Sequence, residues 1–237
     1  MAVTADQFAA HPTWPGSFPL PSGVLRLPGV YRPQADTALL AEVIATTTPS
    51  GPERILDAFA GTGVLATLAA QRPGAEVTAL DVSRRAAVTT WWNGRRRGLS
   101  IQVRRASLLE LDATEAFDLV LANPPYVPCA RGSAATGRRR AWDAGPDGRS
   151  ALDPLCANAP RLLASQGRLL IVQSAVSGVD ASLARLRAGG LVARVVARRT
   201  ITFGPVMRSR VDFLEEAGLI ARGCREEELV VIRADRT

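Results

Sequence analysis

The sequence contains no lysine: all 29 basic residues are arginine, set against 22 Asp and Glu, for a formal charge of +7. An arginine-only complement follows genome composition as readily as function. The surplus points to an acidic partner such as RNA, a ribosomal particle or an acidic protein face, or simply to a solvated basic surface. Histidine occurs once, at His11, and cysteine three times, at the widely spaced Cys129, Cys156 and Cys224. That leaves neither a disulfide framework nor a Cys/His zinc site, and it disfavours metal-dependent and histidine-based catalysis, so no metal is expected. No apolar run approaches bilayer length, and Met1 to Ala10 lack both a basic head and an apolar signal core, so a soluble, cytoplasmic protein without membrane contact is expected.

What is present is 237 residues with 47% hydrophobic content, enough for one substantial core. Prolines and aromatics crowd residues 11–33 (Pro12, Trp14, Pro15, Phe18, Pro19, Pro21, Pro28, Tyr31), which predicts an extended arm over 1–35 lying against the main domain. Asp36 then stands where it could cap a helix carrying Leu39, Leu40, Val43 and Ile44 on one face. From residue 54, strands are predicted at 54–58, 76–81, 100–105, 117–122, 167–173, 193–201 and 227–233. Helices are predicted near 63–71, 83–97, 150–164, 179–188 and 207–217. The alternation implies a single α/β domain over 36–237, with a mostly parallel sheet, helices on both faces and an antiparallel edge formed by the last strands. Residues 129–149, with Arg138, Arg139 and Arg140, are too polar for core and are expected to form a mobile substrate loop.

Two signals suggest a nucleotide-like ligand. A buried strand, Ile55-Leu56-Asp57-Ala58, runs through Phe59-Ala60-Gly61-Thr62-Gly63 into a helix. Its glycines allow close backbone approach to a ligand, and the helix start offers free N–H groups. A ligand-free turn would use Gly61 and Gly63 equally well. Next, Val77-Thr78-Ala79-Leu80 ends in Asp81, 24 residues after Asp57, where a carboxylate at a second strand tip meets a ribose diol; Asp81 could instead cap the following helix. A nicotinamide-binding fold shares both features, but its fingerprint wants three spaced glycines.

The third signal is Asn123-Pro124-Pro125-Tyr126 at the end of the buried strand Phe117 to Ala122. Ligands of open parallel sheets bind at that edge. Taken alone, the tetrapeptide also reads as a proline turn with Asn123 as an Asx cap. With the other two signals it resembles the site of class I methyltransferases that use S-adenosylmethionine (SAM). A planar amide or aromatic amine nitrogen is a poor nucleophile, because its lone pair is delocalised. Two acceptors, the Asn123 side-chain oxygen and the Pro124 carbonyl, would take both N–H hydrogens and stabilise the charge that develops during transfer. Consecutive prolines fix the direction of that carbonyl. The Tyr126 ring offers a face on which a planar group stacks.

Together these residues resemble the HemK/PrmC family of protein glutamine N5-methyltransferases, over about residues 29–231. The short branch that includes the eukaryotic release-factor methyltransferase has a Val-Tyr-x-Pro-x-x-Asp-Thr segment, matched here by Val30-Tyr31-Arg32-Pro33-Gln34-Ala35-Asp36-Thr37. Asn93 and the segment Gly145-Pro146-Asp147-Gly148 also match, though Asn93 reads equally as a helix-end residue and the glycine segment as a turn. The resemblance implies a Rossmann-like seven-stranded fold, SAM as cofactor, and a glutamine in the Gly-Gly-Gln loop of a release factor as acceptor. It implies cofactor contacts from Tyr31, Pro33, Thr37, Asp57, Ala60, Gly61, Gly63, Asp81, Val82, Ser107 and Asn123. It places the chemistry on Asn123, Pro124, Pro125 and Tyr126. Two positions depart from the family: Phe59 stands at its first loop glycine, and Ala106-Ser107 where an acid often meets the adenine amine. The eukaryotic branch uses a small zinc-binding activator. Adenine N6 methylation of RNA or DNA, with Arg95, Arg96, Arg97 and Arg138 to Arg140 on the backbone, is the second reading. Small-molecule N-methylation and a non-catalytic SAM-binding scaffold complete the set.

Overall fold

The structure, a computed structural model, describes residues 20–49, 51–112, 114–130 and 141–237. The apolar runs form β1 (Arg54–Asp57), β2 (Glu76–Leu80), β3 (Ile101–Arg104), β4 (Phe117–Ala122) and β5 (Leu163–Ser174). Ile55, Leu56, Leu119, Val120 and Leu121 are wholly inaccessible, as central strands covered on both faces require. Between and after them lie α1 (Ala35–Thr46), α2 (Val64–Ala69), α3 (Arg84–Arg95), α4 (Leu152–Leu162), α5 (Val179–Ala188), β6 (Val192–Thr202), α6 (Pro205–Arg208), α7 (Val211–Glu216) and β7 (Glu226–Asp235). Helices α1, α2 and α3 pack in one row and α4 with α5 in another. Among the described residues, no helix is long and apolar enough to cross a membrane.

The seven strands lie in the order β3-β2-β1-β4-β5-β7-β6. The first five are parallel, and β7 runs antiparallel to both neighbours, so the antiparallel edge is a pair with β7 inside and β6 outermost. The outer strand is protected in the usual way, by a bulge near Val195 and Ala197 and by charged side chains, Arg194 on Asp235 and Arg198 on Glu228. The chain walks outward from β1 to β3 and then crosses back to lay β4 on the other side of β1. Ligands bind at such a reversal, beyond the carboxyl ends of the strands.

Three local expectations are corrected. Asp36 does not cap α1: Gln34 holds that position without a side-chain bond, and Asp36 lies inside the first turn with its carboxylate directed at other elements. The helix expected over 207–217 is two short helices, because Arg210 leaves helical geometry (φ −119°, ψ 4°) and its guanidinium binds the carbonyls of Val127 and Pro128 and the carboxylate of Asp143. Strand β5 begins at Leu163, four residues before the expected start, by pairing with Phe117 ahead of a register shift.

Candidate active site

The carboxyl ends of β1, β2, β3 and β4 surround a cavity of about 760 Å³. Its first wall is the turn from β1 to α2, where Gly61 and Gly63 adopt φ of +54° and +76°. Ala60 and Gly61 line the cavity together with Phe59. Phe59 sits in ordinary backbone: Gln166 is the only non-glycine with positive φ among the described residues, so nothing in the main chain calls for glycine at 59.

Asp57 and Gly63, both expected as cofactor contacts, do not line the cavity. A Cβ on Gly63 would lie 2.7 Å from Thr90 Cγ2 and 3.0 Å from Thr90 Cα, so the glycine answers to α3. Asp57 is fully buried behind the turn and accepts from the Ala66 N–H at 3.0 Å, steadying the start of α2, while its Oδ1 has no partner. Burial pushes its carboxyl up to about 7, against the Ala66 bond and with help from the nearby Asp81 charge. The folded state therefore holds a proton that the unfolded chain releases near 4, and this contribution to stability is complete below about pH 4 and is lost as pH rises through about 7. Calorimetry at pH 5 and pH 8 is expected to show a fall in Tm that is shallower in Asp57→Asn, which cannot ionise. An equal fall in both proteins would contradict the assignment.

Asp81 forms the second wall. Its Oδ2 accepts from Gly61 N at 2.9 Å and its Oδ1 from Ser83 N at 2.8 Å. The helix cap is Ser83, whose hydroxyl accepts from Ala86 N, so Asp81 is not the cap. Each Asp81 oxygen keeps a lone pair for a ligand hydroxyl. Burial raises its carboxyl above the ordinary value. Val82 is half exposed on the cavity rim. Ser107 also lines the cavity, but its oxygen accepts from Leu109 N, capping the 3-10 turn Leu108–Glu110 that Glu110 closes from the other side, so part of its hydrogen-bonding capacity is spent on the turn.

The third wall is Asn123-Pro124-Pro125-Tyr126 with Tyr31, Pro33 and Thr37, all lining the cavity. Asn123 donates its Nδ2 hydrogens to Asp36 Oδ2 (3.1 Å) and Thr37 Oγ1 (3.2 Å). The amide orientation is thereby fixed, and Oδ1 is the end left to accept. The Tyr126 hydroxyl, almost completely buried, donates to Asp36 Oδ2 at 3.0 Å, and Tyr31 donates to the same oxygen at 2.8 Å. Burial, reinforced by the Asp36 charge, holds both phenols well above the ordinary tyrosine value. Tyr126 and Asn123 are neutral groups suited to shape and hydrogen bonding rather than to proton transfer.

Three features of the surrounding shell were not among the contacts or catalytic residues expected from the sequence, although Asn93 and Gly148 stand in segments that match the family. The described part of the arm lies along α3. Asn93, buried, accepts from Leu25 N at 2.9 Å and donates to the carbonyls of Leu25 and Thr62, tying arm to glycine turn; Arg97 holds the Ser22 carbonyl and Arg85 that of Pro28. Removing Asn93 leaves three backbone groups without this partner, of which the Thr62 carbonyl is buried. Asn93→Ala is expected to cost about 2–3 kcal/mol in chemical denaturation. An unchanged midpoint would contradict the tether. Second, Arg210 clamps the chain on both sides of 131–140, where Val127 and Asp143 also form a parallel bridge. Arg138 to Arg140 lie outside the described residues. Third, Gly148 packs against the Tyr126 carbonyl, which the Ser177 hydroxyl also holds at 2.7 Å.

The donor and acceptor set suits an adenosyl group: a two-oxygen acceptor at Asp81 for vicinal hydroxyls, backbone of 58–62 at close approach, and apolar surface from Val82, Ala106 and Leu108. Fold and cavity together define a class I, SAM-dependent methyltransferase.

Comparison with known proteins narrows this. Residues 23–139 match the model of the methyltransferase small domain. A protein named as an N5-glutamine methyltransferase from Methanocaldococcus jannaschii is 26% identical over 181 residues, 76% of this chain and 90% of that protein. The release factor glutamine methyltransferase of Gloeobacter violaceus is 35% identical over 161 residues, 64% of this chain and 56% of its own length. The chain spans about half the length of this and similar bacterial relatives. In structure it resembles Mtq2 in the E. cuniculi Mtq2–Trm112 complex, responsible for methylation of the termination factor eRF1, with TM-score 0.62 and 21% identity over 88% of this chain and 99% of that one. The matched stretch holds the glycine turn, Asp81 and the loop at Asn123, the three signals on which the site is built.

Proposed function

We propose that this chain transfers the methyl group of SAM to the side-chain amide nitrogen of a glutamine in a protein of the release-factor type. The observation that carries the reading is Asn123, whose amide is locked by Asp36 and Thr37 with Oδ1 as its free end, in a cavity shared with Asp81. In this reading SAM supplies an electrophilic methyl on a positively charged sulfur. Asn123 Oδ1 and the Pro124 carbonyl accept the two N–H hydrogens of the acceptor amide, which favours the charge that builds on nitrogen. Tyr126 packs on the amide plane, and Pro125 holds the loop rigid. Bound SAM would give up the methyl and keep the electron pair of that bond as a thioether, and the surplus proton on nitrogen would pass to water. Asp81, Val82, Ala60, Gly61, Tyr31, Pro33, Thr37 and Ser107 are the proposed cofactor contacts; Asp57 and Gly63 support the turn from behind.

The names of the relatives support glutamine over adenine. The arginines divide: Arg84, Arg85 and Arg105 line the cavity, whereas the cluster at 95–97 expected on a nucleic-acid backbone does not. α3 starts beside the cavity at Ser83 and carries Arg95 and Arg96 at its far end, about 18 Å of helix away, while Arg97 is occupied by the Ser22 and Asn93 carbonyls. A base held in the cavity would gain little from that cluster. The partners on this reading are the glutamine-bearing protein and, by analogy with the E. cuniculi complex, a small activator subunit. The test is incubation of the chain with tritiated SAM and either a release factor, its glutamine-to-alanine variant, or total RNA, each with and without a Trm112-type protein. Label in the first only is expected. Label confined to RNA would sink the proposal.

A further inference from the structure

We infer that Asp36 is the positioning residue of this site: its carboxylate decides which end of the Asn123 amide meets the acceptor nitrogen and makes that end a stronger acceptor. The inference rests on the methyl-transfer reading given above. Asp36 is 3% exposed and accepts five hydrogen bonds. Oδ1 takes the Thr37 N–H (2.5 Å) and the Thr37 hydroxyl (3.1 Å). Oδ2 takes Tyr31 OH, Tyr126 OH and Asn123 Nδ2.

These donors come from three places in the chain: the arm, α1 and the loop after β4, 87 and 90 residues away. A helix-capping role does not account for them, because Gln34 occupies the cap and the Oδ2 bonds all leave the helix. An ionised carboxylate can only accept, so every group around it must donate. Asn123 must therefore turn its NH2 inward and its oxygen outward. With glutamine, threonine or asparagine at 36, the hub would offer donors of its own and that constraint would vanish. The charge acts as well. An amide whose N–H bonds to a carboxylate is polarised toward oxygen, which strengthens Oδ1 toward the next N–H in the chain. A fixed negative charge one residue behind the reacting nitrogen also favours the positive charge that nitrogen acquires.

The test is unusually clean, because Tyr31 and Tyr126 are the only two tyrosines in the sequence and both touch Asp36. Asp36→Asn is compared with wild type in methyl transfer to a release factor, in SAM affinity by calorimetry, and in near-ultraviolet titration of tyrosinate. The expected result is a kcat lower by on the order of 100-fold, with the SAM Kd within about threefold. Both phenols are expected to ionise at lower pH than in wild type, although Glu227, which also faces them, is unchanged. An active wild type with an equally active Asp36→Asn overturns the inference, as does a loss of SAM affinity matching the loss of kcat, which would make Asp36 a cofactor or fold residue. Should the variant not fold, Asp36→Glu takes its place: a kcat lowered without matching loss of SAM affinity supports the inference and an unchanged kcat overturns it, and two wild-type phenols ionising like free tyrosine overturn it as well, while raised phenols follow from burial alone. A wild type inactive on every acceptor would refute the function instead, and the drop in both phenol values from wild type to Asp36→Asn would then judge the hub.

Discussion

Asn123→Ala is expected to reduce methyl transfer on the order of 1,000-fold while leaving SAM affinity within about threefold. The magnitude is that of removing one preorganised group aimed at developing charge, about 4 kcal/mol of barrier. Asn123 contributes the acceptor, and its loss also frees two donor contacts on the far side, to Asp36 and Thr37. Those two groups remain satisfied by Tyr31, Tyr126 and each other, so the pocket should survive the truncation. Asp81 and the glycine turn, which make the nucleoside end of the cavity, are untouched. Parallel single-turnover kinetics and calorimetric SAM titration make the separation visible. If SAM binding disappears together with transfer, Asn123 is a cofactor or folding residue and the mechanism above is wrong.

Gly148→Ala is expected to cost about 3 kcal/mol or more of stability and to lower activity at least tenfold, although residue 148 carries no side chain to contribute chemistry. The added Cβ would stand 2.3 Å from the Tyr126 carbonyl oxygen, 2.9 Å from Ser177 Oγ and 3.2 Å from Pro128 Cγ. The glycine also sits at φ +75°, where an L side chain is strained. Relief requires the backbone at Tyr126 to move, and that backbone sets the ring and the loop behind Asn123. Gly145→Ala is the control. Its φ is +79°, yet its Cβ would meet only Ser150 Cβ at 3.8 Å, so the backbone cost of about 1–2 kcal/mol should appear without the functional loss. Urea denaturation and transfer assays on the two variants check this. Equal behaviour of the pair would show that the close approach to Tyr126 does not matter.

Much of the architecture was legible because its signals are local. Buried runs such as Leu119 to Ala122 announce central strands, and the chain must turn where Gly61 and Asn123 stand. The structure departs from the sequence reading where residues adjacent in sequence were expected to face the cavity together. Asp57 and Gly63 flank the cavity-lining residues, but strand pleat and helix contact turn them to the other side. Sequence reading is blind where one residue's partners are distant. Asp36 looked like a helix cap although two of its partners, Asn123 and Tyr126, lie past β4, Arg210 looked like an ordinary helical residue because its partners flank 131–140, and Asn93, read equally as a helix-end residue and as a family match, reaches back 68 positions to Leu25. Propensity and periodicity describe neighbours along the chain and carry no information on such pairings.

The placement of β7 between β5 and β6 governs the order in which the sheet can be assembled. β6 emerges from the ribosome before the strand that separates it from the rest of the sheet, and among the described strands it pairs with β7 alone. Until β7 is made, β5 presents an open apolar edge and β6 has no strand to join. β7 works as a keystone: a nascent enzyme already holding the glycine turn, Asp81 and Asn123 still exposes an unpaired edge, and such an edge is the hazard that chaperones and aggregation compete for.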